Sequence, residues 1–176
     1  RGVMARLFTA VLLPDDVEAH LAEAIDAVRD ARTDLRWVRP RNWHLTLRFL
    51  GECGPREVDR QRQHWAGRAS AVLPCEMSLG GAGAFPHAWM AKVLWVGVRH
   101  GVETFRALAG PDQDPHVTLA RVRTWTDLTA VVGELGYYES PPWRVSEVAL
   151  VESHLRRRGE RGPRYEVLER FPLGVA

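Results

Sequence analysis

The sequence has few of the features that mark a secreted, membrane or zinc-binding protein. It contains only two cysteines, Cys53 and Cys75, and no Cys-x-x-Cys pair, so neither a disulfide framework nor a zinc cluster is expected. No apolar run approaches the roughly 20 residues that a membrane-spanning helix needs, and residues 1–9 lack the long apolar stretch of a secretion signal. We therefore expect a cytoplasmic protein that makes no contact with a membrane.

Two common enzyme signatures are also missing. The phosphate-binding loop Gly-x-x-x-x-Gly-Lys and the serine-nucleophile pattern Gly-x-Ser-x-Gly do not occur. Lys92 is the only lysine, so positive charge is carried almost entirely by arginine, whose fork matches phosphate oxygens well. A formal net charge of +2 does not by itself indicate a nucleic-acid-binding protein.

The length of 176 residues and the alternation of strand-like and helix-like segments predict one α+β domain over residues 1–176. A motif strand, a helix and one or two further strands recur in each half, so we expect an internal duplication that forms two lobes. Expected strands are 7–13, 43–50 (ending at Gly51), 75–79, 91–98, 145–151 and 165–171, with another after Pro115. The first expected helix is capped by Asp15 or Asp16 and has its apolar positions at Val17, Leu21, Ile25 and Val28; further helices are expected over 55–71, over 102–109 and from a Thr126 cap to Leu135. Residues 80–84 are expected to form a flexible connection.

One tetrapeptide pattern occurs twice, as His44-Leu45-Thr46-Leu47 and as His116-Val117-Thr118-Leu119. In a strand, successive side chains point to opposite faces. Each copy therefore places its histidine and threonine on one face and its two aliphatic residues on the other. The aliphatic face can enter a core, and the polar face then carries an imidazole beside a hydroxyl.

If both motif strands face one cleft, two imidazoles and two hydroxyls converge on a small ligand, and a phosphodiester fits such a site. One neutral imidazole can accept a proton from the attacking group while the other, protonated, donates to the leaving oxygen. The hydroxyls can donate to the phosphoryl oxygens, and no metal is needed. Two alternatives are histidines that only satisfy hydrogen bonds in half-buried strands, and a zinc site. The remaining histidines form no ligand pattern: His20, His64, His87, His100 and His154.

These motifs and the residues around them resemble the two-histidine phosphoesterase superfamily. The closest resemblance is to the RNA 2′,3′-cyclic phosphodiesterase branch, also called 2′-5′ RNA ligase. It spans nearly the whole chain and rests on the segments 6–11, 36–52, 83–86, 93–95, 115–121, 152–153 and 165–173.

The resemblance implies a bilobal, pseudo-twofold fold with antiparallel sheets around a central cleft and helices on the outer faces. It also implies hydrolysis of a 2′,3′-cyclic phosphate to a 2′-phosphate without a cofactor. His44 would protonate the leaving 3′ oxygen and His116 would activate water, although the sequence does not fix this order. Thr46 and Thr118 would hold the phosphate, and Arg121 occupies the position of a phosphate-contacting arginine.

Phe49 follows His44 by five residues, as Arg121 follows His116. The resemblance places Phe49 beside the nucleoside, and core packing is the alternative for this side chain. Strict alternation along a strand would put both residues on the side opposite the histidines. A bend or a strand end must therefore intervene if they reach the cleft.

Three further features bear on substrate binding. The resemblance implies a longer segment between Val98 and His116, so either the protein is shortened there or residues are missing, and we favour missing residues. The loop 154–164 concentrates five arginines, which predicts either contact with RNA phosphates or a solvated hairpin. Four tryptophans could stack on bases or pack in the core: Trp37, Trp43, Trp89 and Trp95.

The sequence thus predicts a metal-independent RNA 2′,3′-cyclic phosphodiesterase, with 2′-5′ RNA ligation as a second activity. The expected partner is RNA with 2′,3′-cyclic phosphate ends, such as tRNA halves, or a cyclic nucleotide, and the expected state is a monomer. One alternative is a cyclic phosphodiesterase for small nucleotides such as ADP-ribose cyclic phosphate or 2′-5′ oligoadenylate. The other is an RNA- or nucleotide-binding module without turnover.

Overall fold

The computed structural model describes residues 3–155, 158–159 and 162–174, and it has the α+β class predicted from the sequence. Strands form most of the framework, and helices occupy the connections between them. In chain order the elements are β1 (Ala5–Leu12), α1 (Asp15–Ala31), β2 (Arg36–Trp37), a 3-10 turn (Pro40–Asn42), β3 (His44–Cys53), α2 (Pro55–Ser70), β4 (Cys75–His87), β5 (Met90–His100), α3 (Val102–Ala109), β6 (His116–Thr126), α4 (Thr129–Leu135), β7 (Trp143–Val145), β8 (Glu147–His154) and β9 (Arg164–Pro172).

The first sheet has the order β3-β1-β8-β9, with every pair antiparallel. Its central strand β1 is buried on both faces. Leu7 and Val11 enter the main core, whereas Phe8 and Ala10 belong to a smaller apolar cluster on the opposite face. This double burial explains why residues 7–12 of β1 form a nearly continuous apolar run, interrupted only by Thr9, rather than an alternating pattern.

The second sheet has the order β2-β6-β5-β4-β7 and is also antiparallel. Leu94 and Val96 of β5 and Val117 and Leu119 of β6 are buried in the main core. The same core includes residues of the first sheet and of the helices. The two motif strands β3 and β6 therefore lie in different sheets, and they contact each other where the sheets meet. The origin of this arrangement in two duplicated lobes stays a prediction.

Helix α1 buries one stripe at helical spacing, Val17, Leu21, Ile25 and Val28, as the sequence predicted. The predicted cap is wrong, because Pro14 occupies the N-cap position and no side chain caps this helix. Asp15 and Asp16 instead lie in the first turn. Their carboxylates there face the positive end of the helix dipole, which is favourable without a capping hydrogen bond.

Residues 80–84 are not the flexible connection that their glycines predicted. They belong to β4, where Ala82, Gly83 and Ala84 pair with β5. Strand β3 likewise continues past its predicted end at Gly51, which adopts a φ of +71° within the strand. Glycine accepts this left-handed conformation without steric cost, so it bends the strand here instead of ending it.

The helix predicted to start from a Thr126 cap begins later. Thr126 is the last residue of β6, and α4 starts at Thr129. The side chain of Asp127 accepts hydrogen bonds from the backbone N–H of Thr129, at 2.9 Å, and from its hydroxyl, at 2.6 Å. Asp127 thus provides the local turn that the sequence assigned to Thr126.

A short segment joins α3 to β6. Residues 110–115 lead directly from α3 to His116, and the N–H of Gln113 donates to the carbonyl oxygen of Gly110 at 3.2 Å. Arg106 of α3 pairs with Asp114 at 3.0 Å. The expectation that residues are missing between Val98 and His116 stays a prediction.

Candidate active site

The two His-x-Thr motifs begin β3 and β6. The aliphatic residues of both motifs are buried, and the histidines and threonines are half-buried. The predicted division of each motif into a core face and an open face is therefore present. Strands β3 and β6 contact each other, and the charge of His116 lowers the pKa of His44, so the two histidine faces lie near one another.

His44 is held in one orientation by its neighbours. Its Nδ1 donates to the carbonyl oxygen of Asn42 at 2.7 Å, and its Nε2 lies 2.8 Å from the hydroxyl oxygen of Thr46. Phe8 stacks on the imidazole, with ring centroids 4.7 Å apart, and Tyr165 contacts it edge-on at 5.5 Å. These four contacts together restrict rotation of the ring.

His116 has a parallel environment in the second sheet. Its Nδ1 donates to the carbonyl oxygen of Asp114 at 2.9 Å. Phe85 contacts the ring edge-on, with centroids 4.9 Å apart, and the ring of Trp95 lies 6.1 Å away. In both motifs the carbonyl group two residues before the histidine thus fixes Nδ1 as the donor. Nε2 is then the ring nitrogen available for chemistry, and that of His44 contacts the Thr46 hydroxyl.

The pKa of His44 is affected by charged groups of the second motif strand. Burial lowers the pKa of His44 below its usual value near 6.5, and the charges of His116 and Arg121 lower it further against the hydrogen bond to Asn42. Burial also raises the pKa of Tyr165, and the charge of Arg121 opposes that rise. Arg121 of the second sheet therefore acts electrostatically on groups of the first sheet.

A β-bulge in β3 brings Phe49 to the side of the histidine. Consecutive residues of β1 pair with Thr46 and Arg48, which leaves Leu47 as one extra residue. The alternation is thereby shifted, and Phe49 lies opposite Phe8 on the same face as Thr46. The ring of Phe49 is 77% exposed and 6.3 Å from that of Phe8, so the alternative of core packing for Phe49 is wrong.

Strand β6 contains a bulge at the matching position. Consecutive residues of β5 pair with Thr118 and Ala120, which leaves Leu119 as the extra residue. Arg121 therefore shares a face with His116 and Thr118 instead of pointing away from them. The sequence required some bend for this result, and the structure identifies it as a one-residue bulge in each motif strand.

Sequence reasoning missed Asn42. This residue is buried, its carbonyl oxygen accepts the Nδ1–H of His44, and its side-chain amide donates to the carbonyl oxygen of Pro163 at 3.0 Å. Arg39 donates to the same carbonyl oxygen at 3.2 Å. The sequence offered one signal, which is that a polar residue directly precedes Trp43, a residue that is buried. A buried amide in that position requires hydrogen-bond partners.

The predicted stacking tryptophans have different environments. Trp43 is buried in the core, and Trp37 is half-buried and donates to the carbonyl oxygen of Arg32 at 2.9 Å. Trp89 is 62% exposed and stacks on His87. Only Trp95 of the four contacts the ring of a motif histidine among the aromatic pairs of the described residues.

The arginines of the basic loop fall partly outside the described residues. Arg156, Arg157 and Arg161 lie outside them, and Arg158 and Arg164 are exposed. The contact of this loop with RNA phosphates therefore stays a prediction.

A group of possible metal ligands lies on β8 and β9. Ligand atoms of Glu152, His154 and Glu166 are all within 4.8 Å of one another. His154 already bonds Glu166 at 3.0 Å, and Glu166 is exposed, so this hydrogen bond accounts for the cluster. The sequence did not reveal it because Glu152 and Glu166 meet only through the strand register.

Among the described residues, none of the helices has both the length and the apolar character that crossing a membrane requires.

Comparison with known proteins agrees with this geometry. Residues 11–95 match the LigT-like phosphoesterase family. The RNA 2′,3′-cyclic phosphodiesterase of Methanothermobacter thermautotrophicus is 33% identical, over 96% of this chain and 98% of its own. That of Thermus thermophilus is 36% identical, over 96% and 90% of the two chains.

Solved structures show the same fold. The crystal structure of TT0787 of Thermus thermophilus superposes with a TM-score of 0.72 at 30% identity, covering 96% of this chain and 97% of its own. E. coli LigT complexed with 3′-AMP gives a TM-score of 0.67 at 26% identity, covering 98% and 100%. The predicted fold and enzyme class are confirmed, and the chain belongs to the LigT-like phosphoesterase family of RNA 2′,3′-cyclic phosphodiesterases.

Proposed function

We propose that this protein hydrolyses 2′,3′-cyclic phosphate ends of RNA to 2′-phosphates by paired-histidine acid–base catalysis. The observation that carries the proposal is the matched anchoring of the two imidazoles. Each Nδ1 donates to the carbonyl oxygen two residues earlier, so Nε2 is the ring nitrogen that each histidine can offer to a substrate. Two imidazoles so placed can accept one proton and donate another within a single displacement at phosphorus.

The acid and base roles follow the order that the family resemblance implies. His116 Nε2 accepts a proton from water as the water oxygen attacks phosphorus. The bond from phosphorus to the 3′ oxygen breaks, and His44 donates a proton to that oxygen. Because burial lowers the pKa of His44 in the free protein, His44 must take up its proton as the anionic phosphate binds.

The remaining site residues bind the charged and aromatic parts of the substrate. Thr46 and Thr118 donate to the phosphoryl oxygens, and the Arg121 guanidinium offsets the negative charge that develops there. Phe49 is exposed on the same face as the motif threonine of its strand, and its ring can stack on the base of the terminal nucleoside. The bulges in β3 and β6 support both roles, because they turn Phe49 and Arg121 to the face that carries the motif threonines.

The reaction as written uses no metal ion, and the first experiment tests this directly. The protein is incubated with 2′,3′-cyclic AMP and excess chelator, and the 2′- and 3′-phosphate products are resolved. We expect 2′-AMP at a rate unaffected by the chelator. Loss of activity on chelation would refute the mechanism, and 3′-AMP as the product would refute the assignment of the leaving oxygen.

Replacing either motif histidine by alanine tests the proposed acid–base pair. We expect His44→Ala and His116→Ala each to lower kcat by about 100-fold or more with the fold retained, as judged by circular dichroism. His100→Ala, which removes an exposed histidine at the end of β5, is the matched control and should leave kcat unchanged. Normal turnover in either motif variant would contradict paired-histidine catalysis.

The same assay separates the competing substrates. Turnover of ADP-ribose cyclic phosphate or 2′-5′ oligoadenylate well above that of cyclic RNA ends would favour a small-nucleotide enzyme. Binding of these compounds without turnover would favour a binding module. Ligation to a 2′-5′ bond, the cytoplasmic location and the monomeric state stay predictions.

A further inference from the structure

The carbonyl group that orients His44 belongs to the short 3-10 turn directly before β3. This Asn42 carbonyl accepts the Nδ1–H of the imidazole at 2.7 Å, and Nε2 on the other side of the ring lies 2.8 Å from the hydroxyl oxygen of Thr46. A hydrogen bond aligns a catalytic ring closely only when its acceptor is itself held in place. The groups that fix the Asn42 carbonyl therefore decide which nitrogen His44 presents to a substrate.

The side chain of Asn42 ties this turn to a distant part of the chain. The turn has two hydrogen bonds of its own, from the N–H of Asn42 to Arg39 at 2.8 Å and from that of Trp43 to Pro40 at 3.0 Å. Hydrogen bonds in 3-10 turns have poorer geometry than those in α-helices. The buried Asn42 amide adds a third bond, donated to the carbonyl oxygen of Pro163 at 3.0 Å. The turn is thus braced from outside as well as from within.

The acceptor of this bond is well placed to brace His44. Pro163 directly precedes β9, whose second residue, Tyr165, packs edge-on against the imidazole. Arg39 donates to the same Pro163 carbonyl oxygen at 3.2 Å, and a carbonyl oxygen can accept two such bonds. The segment before β9 is therefore anchored by two side chains, of which only Asn42 also supplies the carbonyl group bonded to His44.

The second histidine lacks a comparable buried brace. Its Nδ1 donates to the carbonyl oxygen of Asp114, and the side chain of Asp114 pairs with Arg106 at 3.0 Å. Both of these side chains are exposed, and exposed ion pairs contribute little to holding a geometry. In the proposed function it is His44 that must aim a proton at the leaving oxygen. The buried amide thus supports the histidine that acts as the acid.

We propose that the Asn42 side chain is a positioning group for the proton donor His44. Its amide, bonded to Pro163, holds the Asn42 carbonyl in line with Nδ1, and this keeps Nε2 as the nitrogen that faces the 3′ oxygen. Asn42 acts through His44 alone and makes no contact with the phosphate in this assignment. The inference rests on the proposed function for the chemical role of His44, whereas the effect on the imidazole itself is independent of any substrate.

The proposal has a defined consequence for protonation. Burial lowers the pKa of His44, and the hydrogen bond to Asn42 opposes that effect. The charges of His116 and Arg121 on β6 lower the pKa further, and Tyr165 of β9 faces the ring as a neutral phenol because burial raises its pKa. Loosening the Asn42 carbonyl removes a contribution that favours the protonated ring. Since the donor must carry its proton, activity should then be lost first on the alkaline side.

Replacement of the amide gives the kinetic test. Asn42→Ala removes the donor, and Asn42→Leu removes it while keeping nearly the same volume in the buried site. On 2′,3′-cyclic AMP from about pH 5.5 to 9, we expect the alkaline limb of kcat to move down by about one pH unit. The value of kcat at pH 8 should fall about tenfold, and KM should stay within about twofold.

Arg39→Ala is the matched control, because it removes the other donor to the Pro163 carbonyl oxygen and leaves the Asn42 amide in place. It should lower Tm without moving the pH profile of kcat. An alkaline shift in Arg39→Ala equal to that in Asn42→Leu would assign the effect to anchoring of the segment before β9 and overturn the role of Asn42.

Nitrogen-15 NMR of histidine-labelled protein tests the positioning without substrate. The His44 signals are identified by their loss in His44→Gln. We expect neutral His44 to carry its proton on Nδ1 in the wild type and in Arg39→Ala, with a clear share moved to Nε2 in folded Asn42→Leu. A wild-type tautomer in that variant, with kcat either unchanged or lowered equally at every pH, would overturn the proposal. A tautomer shift in a protein that does not hydrolyse the substrate would refute the proposed function and support the positioning role.

Discussion

Gly83 of β4 lies opposite Trp95 of β5, and the indole covers it. A Cβ added at Gly83 would lie 2.5 Å from Cη2 and 2.8 Å from Cε2 of the indole, and closer still to Cζ2. Contacts this short cannot persist, so in Gly83→Ala the tryptophan ring must move. Overpacking of this kind typically costs about 1–3 kcal/mol, which for a chain of this size lowers Tm by about 2–12 °C.

The displacement should also reach the site. The Trp95 ring lies 6.1 Å from His116 and 5.3 Å from Phe85, which itself contacts the imidazole. Misplacement of a catalytic group by about 1 Å can cost 100-fold in rate, so we expect kcat on 2′,3′-cyclic AMP to fall by about 10–100-fold in Gly83→Ala. Thermal unfolding and steady-state kinetics on one preparation give both numbers.

Two comparisons show whether displacement of the indole causes the expected losses of Tm and kcat. Gly67→Ala makes the same substitution within α2, where the added Cβ meets nothing within 4 Å, and it should keep both Tm and kcat or raise Tm slightly. In a Trp95→Leu background the stability cost of Gly83→Ala should shrink, with a coupling energy of about 0.5–3 kcal/mol. Wild-type Tm and kcat in Gly83→Ala would refute the reasoning.

Three further predictions address a buried hydroxyl, an acid transition and an exposed ring. Thr9 is fully buried and its hydroxyl has no partner within the described residues, so Thr9→Val should stabilise by about 1 kcal/mol in urea unfolding; a loss of stability would contradict this. The lowered pKa of His44 means that the unfolded chain binds its proton first, so stability should fall as pH drops below about 6.5. His44→Gln should flatten the dependence of Tm on pH from 7.5 to 5, and an unchanged slope would refute the assignment. Phe49 is exposed, so Phe49→Ala should leave Tm unchanged but raise KM for cyclic AMP about fivefold or more, because the ring no longer stacks on the base. An unchanged KM would show that Phe49 does not contact the base.

The parts of the fold that were predicted are those governed by local pattern. The alternation in His44-Leu45-Thr46-Leu47 specifies a strand with one buried face, and the spacing Val17, Leu21, Ile25, Val28 specifies one buried helix stripe. Such patterns depend on neighbouring residues alone. The same holds for α2, whose start at Pro55 follows from the fixed φ of proline.

The parts that failed depend on contacts distant in sequence. Five small residues in a row, 80–84, predict a flexible connection by composition, yet residues 82–84 pair with β5. The reason is visible only in the sheet, because Gly83 makes room for Trp95, which lies on the neighbouring strand. Asn42 was missed for a related reason, since its partner Pro163 comes from the far end of the chain.

The bulges explain why the candidate site extends beyond the repeated tetrapeptide. A strict strand would bring only the histidine and threonine of each motif to the cleft and would turn away the residue five positions after the histidine. One extra residue after each threonine, Leu47 and Leu119, reverses the alternation at the same place in both strands. The aliphatic residue at that position is buried in either case, so hydrophobic pattern does not reveal the register shift. The two halves therefore match in backbone irregularity as well as in sequence. The shared bulge brings Phe49 to the His44 side of the cleft and Arg121 to the His116 side.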